Sequence, residues 1–181
     1  MEALRNGDLD TFRSVVDASK DKVYNTALGL LQHTGEAEDV AQEVFVKLFE
    51  NRDRLRMDAS VDTWLYRVTV NAALDQLRKR KRKGFNYRVN GAAQEMPELP
   101  HFDHPGIKME NREHARVLFN AIHQLPEMQQ AVFVLHNMEG KTYREIATIL
   151  KKSLTSVESL MARAKLKLQE LLRNYFETQL K

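Results

Sequence analysis

Apolar residues recur at helical spacing through the first half of the chain. A first stretch, from about residue 9 to 32, has its apolar positions at Phe12, Val16, Val23, Ala27 and Leu31. A second, from about 36 to 50, has them at Val40, Val44, Phe45, Leu48 and Phe49. A third begins at a cap on Ser60 or Asp62 and continues to about Lys81, with Tyr66, Val70, Ala73 and Leu77 on one face. Because no segment alternates convincingly at period two, we predict an all-α fold.

The helical pattern breaks between Gly84 and about Gly106. This polar stretch contains three of the seven glycines and three of the four prolines of the chain. Such a composition without periodicity is typical of a linker. We therefore predict two small helical bundles joined by a flexible linker: a first domain at residues 1–83, the linker at 84–109 and a second domain at 110–181.

The second domain opens with two predicted helices. The first extends from near Lys108 to Gln124, and the second covers about 126–138. Pro126 suits the first position of that second helix, because a missing amide hydrogen and a fixed φ are tolerated there. Gly140 is the expected end of the helix.

Two further helices form a predicted helix-turn-helix. Thr142 and Glu145 have capping-box spacing, and the helix that they open places Ile146, Ala147 and Leu150 inward. Thr155 and Glu158 form a second possible box, and the inner face of that helix consists of Val157, Leu160, Ala164 and Leu168. With a tight turn around Lys152–Leu154, this arrangement is typical of motifs that place the start of the second helix in the DNA major groove.

The polar residues of this motif are its candidate DNA contacts. Near base edges we expect Ser156, Ser159, Ala162 and Arg163, and near phosphates Lys152, Lys165 and Lys167. Helix pairs with solvated lysines are also common in proteins without DNA, and an ordinary regulator that binds duplex DNA as a dimer would explain the same segment. Glu158 is repelled by phosphates, and it either accepts from cytosine or caps its helix.

Charges are segregated along the 181 residues, although the net charge is only +3. Residues 36–50 carry five acidic side chains and one lysine. Residues 60–83 carry seven basic and two acidic side chains, and residues 141–173 carry eight and three. Two basic blocks suit two contacts along a polyanion. The acidic block would repel DNA and indicates another partner.

The segment with the only tryptophan combines an apolar stripe with polar and cationic positions. Arg67, Asn71 and Arg78 share a helical face beside the stripe, and the segment ends in six consecutive basic residues, 78–83. Asn71 could bond an exposed base edge, and an aromatic platform could stack an unpaired base. The alternatives are that Trp64 belongs to the core and that the basic run is a solvated helix end.

Composition narrows the remaining function classes. The absence of cysteine excludes disulfides, thiolate metal sites and a cysteine nucleophile. No apolar run reaches the roughly 18–20 residues of a membrane span, and no signal pattern opens the chain, so we expect no membrane insertion and a cytoplasmic location. His101 and His104 flank an aspartate and could hold a metal in an enzyme acting on nucleic acid, but we expect neither a metal nor another cofactor.

Three stretches in order resemble bacterial sigma factors of the extracytoplasmic-function (ECF) group of the sigma-70 family. Residues 36–51 resemble the sigma-2 helix that docks on the β′ subunit of RNA polymerase, and residues 62–82 resemble the segment that melts and reads the −10 promoter element. Residues 125–172 resemble the sigma-4 helix-turn-helix that reads the −35 element. The resemblance covers roughly 8–83 and 110–175. It implies a promoter-specificity subunit that directs transcription initiation and is not an enzyme.

The resemblance also implies partners and contact residues. The partners are core RNA polymerase, through its β′ clamp and β flap, promoter DNA and an anti-sigma factor. Docking on the polymerase clamp falls to Asp39, Gln42 and Glu43. Recognition of the −10 element falls to Asn51, Leu55, Trp64, Arg67, Asn71, Arg78, Arg80 and Arg82. Glu158 and Leu160 depart from the family pattern, since their positions often carry arginine.

Overall fold

The computed structural model describes residues 2–54, 60–89 and 112–179, and every regular element in these ranges is a helix. The chain divides into two compact units, Met1–Gln94 and Glu95–Lys181. The predicted all-α class with two helical bundles is confirmed.

The first unit is built on three long helices that pack on one another. In chain order its elements are α1 (Glu2–Arg5), α2 (Leu9–Leu31), α3 (Thr34–Glu50), a 3-10 helix (Arg52–Arg54) and α4 (Val61–Val89). The sequence predicted α2, α3 and α4, because each is long enough to repeat an apolar face several times. It did not predict α1 or the 3-10 helix, which are shorter than two helical turns.

The core of the first unit lies where α2, α3 and α4 meet. The buried side chains include these positions of the predicted stripes: Val23, Ala27 and Leu31 of α2, Val40, Val44 and Leu48 of α3, and Tyr66, Val70, Ala73 and Leu77 of α4. Leu28, Leu30, Leu65 and Leu74, which the stripes did not include, are buried as well. Burying a side chain of this size contributes about 1.5–3 kcal/mol relative to exposure. Phe45 and Phe49 are only half-buried, so the buried stripe of α3 is narrower than predicted.

A serine cap begins α4. Ser60 Oγ accepts from the Thr63 amide at 3.1 Å, and the Ser60 carbonyl accepts from the Trp64 amide at 3.2 Å. Asp62, the other candidate cap, lies in the first turn and accepts from Lys22 Nζ at 2.9 Å. The cap is therefore Ser60, while Asp62 ties α4 to α2.

Helix α4 continues beyond its predicted end. We expected it to stop near Lys81 and the linker to begin at Gly84, but the helix extends to Val89. A glycine inside a helix costs only about 1 kcal/mol relative to alanine, and the first proline after Gly84 is Pro97. One glycine is therefore too weak a signal to end the helix.

The second unit contains α5 (Arg112–His123), α6 (Glu127–Asn137), α7 (Tyr143–Leu150) and α8 (Leu154–Gln179). Helix α8 packs against each of the other three. Pro126 is the N-cap of α6, with φ −54° and ψ 142°, so the prediction that it is the first helical residue was wrong by one position. Its extended ψ keeps it outside the helix, although its carbonyl accepts from the Gln130 amide at 2.9 Å.

Helices α7 and α8 form the predicted helix-turn-helix, with one capping box confirmed and one wrong. Thr142 accepts from the Glu145 amide, and the Glu145 carboxylate accepts from the Thr142 amide at 2.8 Å. The second cap is Ser153, whose Oγ accepts from the Ser156 amide at 3.2 Å. Because Lys151, the C-cap of α7, adopts the left-handed conformation with φ 52°, only three residues separate α7 from α8. Helix α8 thus begins before Thr155, and Glu158 takes no part in a cap.

The inner faces of this pair differ from the predicted ones at five positions: two buried residues were not predicted, and three predicted residues are only half-buried. Ile149 and Met161 are buried with Ile146, Val157, Ala164 and Leu168. Ala147, Leu150 and Leu160 are half-buried. The contact between α7 and α8 is therefore centred on slightly different faces from those predicted, and Leu160 remains partly exposed to solvent.

Candidate functional site

Helix α3 has one buried and one acidic face. Val40, Val44 and Leu48 are buried, and the intervening turns expose Asp39, Gln42 and Glu43. Helical spacing alone produces this separation, since residues three and four apart share a face. Glu43 forms an ion pair with Lys47 at 2.5 Å on the helix surface. The three predicted docking residues therefore lie together on the solvent-exposed face of α3.

An apolar residue that the sequence prediction missed lies on the same exposed face. Val46 is 56% exposed and follows Gln42 and Glu43 by four and three positions. Val46 falls outside the apolar stripe of α3. An apolar residue on the polar face was the sequence signal that could have identified it as a contact residue. A large exposed apolar side chain beside acidic residues suits a protein contact better than a solvated surface.

A groove of about 660 Å³ lies between α3 and α4. Four of the predicted −10 residues line it: Asn51, Trp64, Asn71 and Arg82. Its other lining residues are Val40, Glu43, Lys47, Val68, Ala72, Asp75, Gln76 and Lys79. The sequence placed Glu43 in the docking set alone, whereas the structure brings it to the groove as well.

The groove joins an indole, amides and cations at one surface. Trp64 is half-buried and lines the groove, while Tyr66 is 5% exposed and belongs to the core. Asn71 is exposed on α4, one turn after Val68 and two turns after Trp64. Unpaired bases bind surfaces of this kind, because rings stack on aromatic faces and amides bond base edges.

The basic residues of α4 fall into different environments. Arg82 is exposed and lines the groove. Arg78 pairs with Asp75 at 2.9 Å on the surface, and Arg67 is half-buried. Arg80 is directed to the protein, where its Nε donates to Glu36 Oε1 at 2.9 Å. Leu55 lies outside the described residues.

In the second unit, a smaller groove of about 400 Å³ follows the start of α8. Lys152, Ser156, Ser159 and Arg163 line it, as do Met128, Ser153, Thr155 and Leu160, which the prediction did not include. Arg163 donates to Ser159 Oγ at 2.9 Å. Starting α8 at Leu154 moves Thr155 into the first turn. Hydroxyls therefore dominate the end that would enter a major groove.

The other three predicted −35 residues lie beyond this groove. Ala162 and Lys165 are exposed on α8. Lys167 is half-buried and pairs with Glu170 at 2.9 Å. Surface lysines of this kind suit phosphate contacts, which need charge more than fixed geometry.

Two exposed carboxylates have altered acidity through local hydrogen bonds. Donation from the Thr142 hydroxyl and amide lowers the pKa of Glu145 below its ordinary value of 4.5. Donation from the Thr11 hydroxyl and amide likewise lowers the pKa of Asp8, the N-cap of α2. Both groups stabilise helix starts, and neither lines a groove.

The described residues offer no cluster of three or more His, Cys, Asp or Glu side chains able to hold a metal ion. The candidate pair His101 and His104 lies outside them. Among the helices of the described segments, none is both long enough and apolar enough to cross a membrane.

Known proteins match this chain over most of its length. The families Sigma-70 region 2 and Sigma-70, region 4 match residues 15–83 and 115–168. The chain is 29% identical over 178 residues to the ECF RNA polymerase sigma factor SigW of Bacillus subtilis, covering 96% of this chain and 95% of SigW. It is 30% identical over 169 residues to the RNA polymerase sigma-H factor of Pseudomonas aeruginosa, with coverage of 91% and 88%.

A solved structure shows the same fold. The sigma factor RpoE of Bartonella quintana, crystallised with the anti-sigma factor NepR, gives a TM-score of 0.68 at 22% identity over 90% of this chain and 97% of RpoE. The two matched families, in this order, and relatives of nearly equal length agree with the geometry of the two units. The chain therefore belongs to the ECF sigma factors of the sigma-70 family, the transcription initiation factors that bind core RNA polymerase.

Proposed function

We propose that this sigma factor divides promoter recognition between its two units. The first unit docks on the β′ clamp and captures the −10 element, the segment after α4 links the units, and the second unit reads the −35 element and contacts the β flap. One observation carries the proposal: the α3–α4 groove places an indole, two asparagines and an arginine beside the acidic face of α3.

Docking is assigned to the exposed face of α3. Asp39, Gln42 and Glu43 supply charge and hydrogen-bonding groups, and Val46 supplies apolar area. Complementary charge mainly speeds association and fixes register, whereas buried apolar contact slows dissociation. This face therefore suits a basic partner surface with an apolar patch.

Capture of single-stranded DNA is assigned to the α3–α4 groove. A non-template base stacks against Trp64, with a contribution of about 1–3 kcal/mol per base, and its edge bonds Asn71. Asn51 forms the near wall of the same site, and Arg67, Arg78 and Arg82 contact the backbone. Leu55 is assigned to −10 recognition by the family resemblance alone. Base capture offsets the cost of unstacking as the duplex opens.

Reading of the −35 element is assigned to the start of α8. The hydroxyls of Ser156 and Ser159 and the guanidinium of Arg163 line the groove there, and they reach base edges. Ala162 makes apolar contact, and the lysines hold phosphates. The proposal adds Thr155 to this set, because α8 begins one residue before it.

An anti-sigma factor is a further proposed partner. The support is the shared fold with RpoE of B. quintana, which was crystallised with the anti-sigma factor NepR. We also propose that this chain acts in the cytoplasm and catalyses no reaction itself.

Run-off transcription tests the proposal. The chain is combined with bacterial core RNA polymerase and a promoter library, and we expect transcripts that start at a defined subset. A folded chain that directs no initiation would contradict the proposal. Gel shifts distinguish the proposed sigma factor from a dimeric regulator of duplex DNA. Such a regulator would bind duplex DNA tightly and specifically by itself, and core enzyme would not change that binding.

A further inference from the structure

Arg80 lies where three helices meet. Its Nε donates to Glu36 Oε1 at 2.9 Å, its Nη2 lies against Glu36 Oε2, and its Nη1 donates to the Leu31 carbonyl at 3.3 Å. Leu31 is the last residue of α2, and Glu36 lies in the first turn of α3. One guanidinium from α4 thus joins the end of one helix to the start of the next.

Each of these contacts stabilises a helix end. The last carbonyls of a helix lack partners within the helix, and the C-terminal end carries partial negative charge. A cation at Leu31 O satisfies both. Arg80 and Glu36 are also poorly exposed, at 30% and 21% of their side chains, so their charges are screened less than those of a surface pair.

The phase of α4 explains why Arg80 faces the protein although it stands in a basic run. It follows Ala73 and Leu77 by seven and three positions, and both of these residues are buried. Arg80 therefore continues the inward stripe. Arg82 lies on another side of the helix, at the α3–α4 groove.

We propose that Arg80 and Glu36 are positioning residues for promoter opening, and that Arg80 is not a phosphate contact. The pair fixes the basic end of α4 against the α2–α3 junction, which sets where Arg82 and Lys79 meet the DNA backbone. This inference rests on the proposed function of the groove. It changes the sequence-based role of Arg80 and gives Glu36 a role separate from docking.

The test compares Glu36→Gln, Arg80→Gln and the double variant, each with core polymerase and a fluorescent base analogue in the −10 element. We expect each single variant to open the promoter about tenfold more slowly, as for loss of a charged hydrogen bond. Arg80→Gln also removes the bond to the Leu31 carbonyl. The double variant should therefore open no more slowly than Arg80→Gln alone, because the Glu36 change then breaks a link that is already lost. Affinity for core polymerase should stay within about twofold, since Asp39, Gln42 and Glu43 are untouched.

Arg82→Gln is the matched control. It removes an exposed arginine of the groove, and we expect it to lower the salt dependence of promoter binding by about one phosphate contact. Glu36→Gln should leave that salt dependence unchanged. A direct reading of helix position comes from spin labels on Arg13→Cys and Lys79→Cys, which are possible because the chain has no cysteine. The distance distribution should broaden in Glu36→Gln and Arg80→Gln.

Three results would overturn the proposal. Wild-type opening by Glu36→Gln together with slow opening and reduced salt dependence in Arg80→Gln would make Arg80 a phosphate contact. Multiplied losses in the double variant would show independent roles, and an equal loss of core binding in Glu36→Gln would make Glu36 part of docking. If the wild-type chain opens no promoter, the proposed function itself fails. If the wild type and Glu36→Gln both open the promoter at the same rate, only the positioning role fails.

Discussion

Asn51 Nδ2 donates to the Lys47 carbonyl at 2.8 Å, and the Asn51 amide donates to the same oxygen at 3.0 Å. The two bonds end α3 at the wall of the α3–α4 groove, which Asn51 and Lys47 both line. Asn51 therefore both caps the end of α3 and lines the groove. Its side-chain amide is already held in place by the Lys47 carbonyl before a base binds.

Asn51→Ala should lower both stability and promoter opening. Loss of the side-chain bond should reduce the free energy of unfolding by about 1 kcal/mol, the usual contribution of a neutral hydrogen bond. Chemical denaturation measures this change, and a base analogue in the −10 element reports opening. Unchanged unfolding together with normal opening would show that the bond to Lys47 contributes nothing measurable.

Asn71→Ala should slow promoter opening while binding to core polymerase stays intact. Asn71 is exposed on α4, so truncation leaves no buried cavity and should change stability by no more than about 0.5 kcal/mol. Permanganate reactivity of the melted strand measures opening, and fluorescence anisotropy measures core binding. The control is Asn6→Ala, which removes an exposed amide from the turn after α1. Normal melting by Asn71→Ala would refute its role in base capture.

Local signals predicted most of the fold. The repeated apolar faces of α2, α3 and α4 span several turns each, and the Thr142–Glu145 box is complete within four residues. The wrong cap at Thr155 shows the limit of local reasoning. Ser153 also has capping chemistry, and the choice depends on how α7 ends at Lys151, which the spacing of the hydroxyls does not reveal.

The candidate sites were less predictable than the helices. The sequence could place Asn71 and Arg82 on α4, but only the packing of α3 against α4 places Glu43 in a groove with them. The inward direction of Arg80 was readable from its spacing to Ala73 and Leu77. Because Arg80 stands among six consecutive basic residues, it was assigned to DNA by its charge and its spacing was not considered.

Asp39→Arg should weaken binding to core polymerase. The substitution reverses a charge on the exposed face of α3 without touching its buried stripe, so we expect an affinity loss of about tenfold with little change in unfolding. Competition with a labelled sigma factor for core enzyme measures it. Asp21→Arg, an exposed reversal on α2, is the control. Equal losses from both variants would mean that net charge, rather than this face, governs docking.

Val46→Ala should weaken core binding without destabilising the chain. Val46 is 56% exposed, and alanine has the higher helix propensity, so the free chain should be as stable or slightly more stable. Removal of the apolar contact should raise the dissociation rate about threefold to tenfold, as expected for roughly 1 kcal/mol of lost burial. Surface plasmon resonance with immobilised core enzyme gives the rates. An unchanged dissociation rate would exclude Val46 from the interface.

Thr142→Ala should return the pKa of Glu145 toward its ordinary value of 4.5. Hydrogen bonds from Thr142 hold that pKa low in the folded chain, so the carboxylate stabilises α7 fully at pH values above the unfolded-state pKa. That stabilisation decreases as the pH falls through the folded-state pKa. Carboxyl carbon NMR titration of the full chain measures the shift, and Thr148→Ala, which removes another exposed hydroxyl of α7, is the control. In parallel, the stability difference between wild type and Glu145→Gln should shrink toward acidic pH. A Glu145 pKa that stays equally low in Thr142→Ala would show that the Thr142 hydroxyl is not its main cause.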